Sequence, residues 1–155
     1  MIAKKYKISN GVGRSISRLV SFDKALIDAG VGNYNLVKLS SILPAGCEKV
    51  DSIDIPEGSL LPTAYSTITS DREGDVLVSS IGVGIPVDKS KVGVIMEHST
   101  INKGVTVTTN ELLEMIEEAF LYRGWELQCI EWTHATTIVE DSDVSVTTFA
   151  CIAEW

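Results

Sequence analysis

Val76-Leu-Val-Ser-Ser-Ile-Gly-Val-Gly-Ile85 is the stretch that most constrains the fold. It is apolar or small almost throughout, and it does not alternate between a wet and a dry face. A strand of this kind is covered on both sides. Just before it, Asp71-Arg-Glu-Gly74 reads as a hairpin turn leading into it. Further strand-like runs lie at Tyr34–Ser41, Gly58–Thr69, Val92–Glu97, Trp125–Ala135 and Val144–Ala153, with the central one spanning Asp75–Ile85.

Two segments have helical periodicity instead. Ser21 is placed to cap a short helix from Phe22 to Ala29, stopped by Gly30. Thr108-Thr-Asn-Glu111 has the form of a capping box, followed by the apolar stripe Leu112, Leu113, Ile116, Ala119 and Phe120, with Gly124 as the stop. Its opposite face, Glu111, Glu114, Glu117 and Glu118, reads as solvated. Six strands and two helices without regular alternation predict an α+β fold with helices covering sheet faces. Between Leu43 and Gly58 a loop is expected. No repeat or low-complexity tract divides the 155 residues, so one domain spanning 1–155 is expected.

The net charge of −8 argues against a chain that wraps nucleic acid through its overall charge. Residues 1–24 run against that balance, with Lys4, Lys5, Lys7, Arg14, Arg18 and Lys24 facing only Asp23. The simplest reading is a basic arm lying on an acidic body. Cys47, Cys129 and Cys151 are too few and too scattered for a disulfide framework or a CxxC metal site. The opening residues lack the apolar stretch of a leader, and no run approaches the ~20 apolar residues of a membrane span. The chain therefore reads as soluble and cytoplasmic, with no nucleic-acid or membrane partner.

Several catalytic signatures are missing. Gly82-Val-Gly84 lacks the third glycine of a dinucleotide fingerprint, and neither a phosphate loop nor GxSxG occurs. Ser21-Phe-Asp-Lys24 matches SxxK only as a four-letter coincidence. His98 and His134 fall in no ligand spacing, so no metal site is expected.

What remains is Leu39-Ser-Ser-Ile-Leu-Pro44, preceded by Asp28-Ala-Gly-Val-Gly-Asn-Tyr-Asn35. A Ser-Ser pair at a strand end is ordinary by itself. In this context the block resembles the self-cleavage region of pyruvoyl-dependent arginine decarboxylases. The resemblance continues in order through Leu61-Pro-Thr-Ala-Tyr65, Thr69-Ser-Asp71, Ile85-Pro-Val-Asp-Lys-Ser90, Gly93-Val-Ile-Met-Glu97 and Tyr122-Arg-Gly-Trp-Glu126. It fades after Glu126 and has no clear counterpart before Leu19.

The resemblance implies a covalent pyruvoyl cofactor made from Ser41. Its hydroxyl would attack the Ser40 carbonyl carbon, converting the peptide to an ester. β-Elimination would then cut the chain, and hydrolysis of the dehydroalanine would leave the pyruvoyl group at position 41. The products would be a chain of residues 1–40 and one of residues 41–155. Asn35 matches the position needed for processing, where its amide would hydrogen-bond a carbonyl at the cut. The keto group would take the substrate amine as a Schiff base and act as electron sink for the departing carbon dioxide. Glu97 matches the proton donor to the former α-carbon.

For substrate contacts the resemblance implies Asp23 as the acid meeting the guanidinium, with Leu19, Gly32, Tyr34, Ser40 and Ile42 lining the site. Tyr34 is bulkier than the small apolar residue expected there. The implied fold is an αββα sandwich of mainly antiparallel sheets, and the implied assembly a homotrimer or a dimer of trimers with active sites between subunits. The implied reaction converts L-arginine to agmatine and carbon dioxide. Two other readings stay open on the residues themselves: the same chemistry on another amino acid, or an unprocessed, non-catalytic oligomeric binding homologue.

Overall fold

The computed structural model describes residues 2–155. In chain order the elements are β1 (Lys5–Ser15), α1 (Arg18–Asp28), β2 (Asn35–Lys38), β3 (Ile42–Leu43), β4 (Glu48–Lys49), β5 (Leu60–Ser70), β6 (Val76–Pro86), β7 (Gly93–Ile101), α2 (Val105–Arg123), β8 (Leu127–Ile138) and β9 (Ser145–Glu154). The strands form a five-stranded sheet in the order β2-β5-β9-β1-β4 and a four-stranded sheet in the order β3-β7-β6-β8. Pairing is antiparallel except for β1 with β4 and β2 with β5. The α+β expectation therefore holds.

Three apolar clusters explain the arrangement. Tyr6, Ala64, Ala150 and Ile152 of the five-stranded sheet meet Ile81, Val83 and Ile95 of the four-stranded one. Ala25 of α1 and Ala29, its C-cap, pack on Leu61, Phe149, Cys151 and Ala153. Leu112, Ile116 and Phe120 of α2 pack on Val94. The strand β6 is thus enclosed between the other sheet and α2, as its uniform composition predicts.

The basic arm is β1 followed by the first part of α1, which carries Arg18 and Lys24. Tyr6–Ser15 pair with β9 along ten registered positions, so β1 sits inside the sheet. Gly11 and Gly13, within β1, are contact points for α1. A Cβ on Gly11 would stand 2.3 Å from the Ala25 carbonyl oxygen, and one on Gly13 would stand 1.9 Å from that of Ser21. The motif Gly82-Val-Gly84 has the same explanation, since a Cβ on Gly84 would lie 2.4 Å from the Phe120 ring.

Both predicted helix stops hold, with Gly30 at φ +74° and Gly124 at +64°. Both predicted starts are one turn late. Ser17 caps α1, its hydroxyl accepting from the Val20 amide, while Ser21 is buried with its hydroxyl 2.7 Å from that of Thr147. Gly104 precedes α2, and Thr108 and Thr109 lie within it, donating to the Gly104 and Val105 carbonyls. Their hydroxyls satisfy themselves inside the first turn because both side chains are buried. Glu111 is not simply solvated either, for its carboxylate holds Lys103 at 2.8 Å and His98 at 2.7 Å.

Asp71–Gly74 is not a hairpin turn. It joins β5 and β6, which belong to different sheets, and Ser70 donates to Asp75 across it at 2.6 Å. Likewise the predicted loop from Leu43 to Gly58 contains β4, which pairs with the edge of β1.

Candidate active site

The segment Tyr34–Ser41 is expected as one strand, but it changes sheet. Residues Asn35–Lys38 pair with Leu60–Thr63 of β5, and the Leu39 amide extends that pairing to the Thr63 carbonyl at 3.0 Å. Ile42 and Leu43 pair with Val94 and Gly93 of β7, and the Ile95 amide donates to the Ser41 carbonyl at 2.8 Å. The Ser40–Ser41 peptide is therefore the crossing between the two sheets, tied to β5 just before it and to β7 at its far end. Ser40 is exposed and Ser41 half-buried. Such a peptide is accessible yet held in place, which suits a reaction of one serine on its neighbour's carbonyl.

Beside this crossing a cleft of about 210 Å³ opens where the edges of β5 and β7 meet, lined by Lys38, Tyr65, Ser66, Thr67, Glu97, His98 and Ser99. Within it Lys38 Nζ lies 3.1 Å from Glu97 Oε1 and 4.5 Å from the centre of the Tyr65 ring. The hydroxyls of Ser66 and Ser99 bridge the two strands. Glu97 lies two residues along β7 from Ile95, whose amide holds Ser41, a rise of about 7 Å.

The other candidate residues form a second group. Leu19, Asp23 and Ile27 share one exposed face of α1 at four-residue spacing. That face leads to a hollow of about 220 Å³ lined by Ile27, Gly30, Gly32, Asn33, Tyr34 and Glu57. Gly32 has no room for a side chain, because a Cβ would stand 2.6 Å from Ile27 Cγ1. Tyr34, bulkier than expected, packs against the cluster beneath α1, its hydroxyl 3.4 Å from the Ile55 carbonyl. None of these residues lines the cleft that holds Glu97.

Asn35 falls with this second group. Its amide donates to the Gly58 carbonyl at 2.7 Å, and it sits five residues before Ser40 on a strand that rises about 3.3 Å per residue. Within one protomer it does not meet the carbonyl at Ser40, contrary to the expected contact. Ile42, in contrast, directly follows the crossing and is paired with Val94. Sequence reasoning missed Lys38 and Tyr65. The available signal was Lys38 two places before Ser40, on the same side of an extended chain.

The model of the family described as pyruvoyl-dependent arginine decarboxylase matches residues 5–154. The chain belongs to that family. Among its relatives named pyruvoyl-dependent arginine decarboxylase, one from Methanococcus aeolicus is 42% identical over 145 residues, covering 94% of this chain and 86% of the relative. One from Methanocaldococcus jannaschii is 40% identical, covering 88% and 81%. One from Pyrococcus furiosus is 40% identical, covering 81% and 79%. The match to the pyruvoyl-dependent family begins at β1 and runs through β9. Similarity to the family thus includes the segments before Leu19 and after Glu126, where the quoted motifs give no guide.

Proposed function

We propose that this chain cuts itself between Ser40 and Ser41 and then decarboxylates L-arginine to agmatine and carbon dioxide. The observation that carries the reading is the Ser40–Ser41 peptide, tied to two sheets beside a cleft containing Glu97, in a chain of this family. Ser41 Oγ attacks the Ser40 carbonyl carbon and the amide nitrogen takes up the proton. Elimination across Cα–Cβ of residue 41 releases Ser40 as a carboxylate, and water converts the remaining dehydroalanine to pyruvoyl with loss of ammonia. Residues 1–40 and 41–155 remain folded together as one domain, supported by β1 and β2 pairing within a sheet otherwise built from the larger piece.

The residues present suit that group: a half-buried Ser41 held by the Ile95 amide, with an acid on the same strand. The pyruvoyl group supplies the electron sink that lets carbon dioxide leave. Glu97 gives a proton to the former α-carbon, and Ser40 and Ile42 flank the reacting centre. Asp23 receives the guanidinium, beside Leu19, Gly32 and Tyr34.

The separation of the two groups supports an assembly in which neighbouring subunits complete each site. Leu19, Asp23, Gly32, Tyr34 and Asn35 of one subunit close over the Ser40–Ser41 peptide and cleft of the next, in a homotrimer or a dimer of trimers. Exposed apolar side chains on the α1 face, Leu19 and Ile27, favour its burial by a neighbour. Each protomer is a four-layer αββα sandwich in this reading, supported by the three apolar clusters. With three free cysteines and no helix of the described residues long and apolar enough to cross a membrane, a cytoplasmic setting fits.

Incubating purified chain with L-arginine should yield agmatine and carbon dioxide in equal amounts. An absence of both from fully cleaved protein would refute the substrate assignment.

A further inference from the structure

We infer that Lys38 is a positioning residue for the reaction, holding one oxygen of the Glu97 carboxyl so that the other is left to carry the proton. The inference rests on the assignment of proton delivery to Glu97 and deepens it. Three observations support it. Lys38 Nζ is 3.1 Å from Glu97 Oε1, and Glu97 has no other ion-pair partner among the described residues. Lys38 is itself braced, its ammonium 4.5 Å above the Tyr65 ring on β5, an attraction between cation and ring face. All three side chains line the one cleft beside the Ser40–Ser41 crossing.

The chemistry needs such a brace. Glu97 is on the open margin of β7, with its side chain about one-third exposed. A carboxyl in that position has several staggered rotamers open to it, and freezing one costs side-chain entropy. A donor on Oε1 suits both protonation states. With the acid neutral, Oε1 is the carbonyl oxygen accepting from the ammonium, and Oε2 bears the proton. After transfer, the carboxylate keeps the same partner and the same direction. Lys38 comes from the five-stranded sheet and Glu97 from the four-stranded one, so the contact also fixes the two strand edges relative to each other where the substrate must enter.

The position of Lys38 ties it to the cut. It belongs to the short piece ending at Ser40, whereas Glu97 and Tyr65 belong to the long one. After cleavage, this ion pair and ring contact hold the new end of the short piece against the long piece, together with the Leu39 and β2 backbone bonds to β5.

The test uses the purified, self-cleaved protein and separates this role from that of Glu97. Lys38→Met should cleave as wild type does, keep KM for L-arginine within about twofold, and lose about 10- to 100-fold in kcat, the range for losing a group that orients a reacting one. Lys38→Arg, which keeps a cation and a donor, should recover most of the loss. In a Glu97→Gln background, Lys38→Met should cost nothing further, because the group it orients no longer carries a proton. A kcat within twofold of wild type, an unchanged kcat with raised KM, or an undiminished further loss in the Glu97→Gln background would each overturn the inference. Should Lys38→Met and Lys38→Gln both remain uncut, Lys38 belongs to self-cleavage and the positioning role is likewise overturned. High turnover by Glu97→Gln alone would instead remove the proton-delivery assignment itself, a distinct failure.

Discussion

Glu154→Gln should make the protein more stable at pH 8 than at pH 5 relative to wild type. Glu154 lies at the end of β9, only 3% exposed, and its Oε1 has no hydrogen-bond partner. Burial pushes its carboxyl up from 4.5 to about 7. Below about pH 4.5 the folded and unfolded chains both hold the proton, and the group contributes nothing. Between 4.5 and about 7 only the folded chain holds it, so stability falls as pH rises. Above about 7 the full penalty applies, about 3 kcal/mol at 1.36 kcal/mol per pH unit. Glutamine carries no charge at any of these values. Its advantage over wild type should therefore grow by about 2–3 kcal/mol between pH 5 and pH 8. For a domain of this size that is about 5–10 °C in Tm. Thermal unfolding of both chains in a Ser41→Ala background, which keeps one covalent species, measures this directly. An equal difference at the two pH values would mean that Glu154 is ionised or solvated in the folded chain and carries no burial penalty.

Glu97→Gln should cleave normally yet lose about 10²–10⁴-fold in kcat, the usual worth of a general acid, as read by carbon dioxide release. Retained turnover would place proton delivery elsewhere. Asp23→Asn should lower kcat/KM for L-arginine by about 10–150-fold, the equivalent of a charge-assisted contact of roughly 1.5–3 kcal/mol, and should narrow the preference for arginine over citrulline. An unchanged preference would leave Asp23 as a solvated residue on the exposed face of α1, past the first turn where the helix dipole acts.

Strand interiors were the most legible part of the sequence. Runs such as Val76–Ile85 and Val144–Ala153 have only one way to hide their side chains, and both are strands. Where the reading failed, a residue type had two physical uses. Gly11 and Gly13 look like breaks, but they are the places where α1 comes too close for any Cβ. Ser21 and Thr108 look like caps, but both hydroxyls are buried and find partners in the fold. Asp71–Gly74 has turn chemistry whether it joins neighbouring strands or two sheets, and local residues carry no record of which.

The same limit applies to the site. Ser40, Ser41 and Glu97 stand in contiguous motifs and so can be singled out as candidates from sequence, and the register of β3 on β7 puts the crossing close to Glu97 along the strand. The contact of Lys38 with Glu97 joins residues 59 positions apart through the meeting of two sheet edges, which periodicity does not encode. Within one protomer the Asn35 amide is held by the Gly58 carbonyl, where β2 begins its parallel pairing with β5, and a local motif does not encode that partner.

Self-cleavage at Ser40–Ser41 is read out by intact-mass measurement under denaturing conditions. Wild-type protein should resolve into pieces of 40 and 115 residues, the larger with a carbonyl-reactive, blocked amino end. Ser41→Ala should remain a single 155-residue chain. Wild-type protein that stays intact after prolonged incubation, or is cut at another peptide, would rule out self-cleavage at this bond.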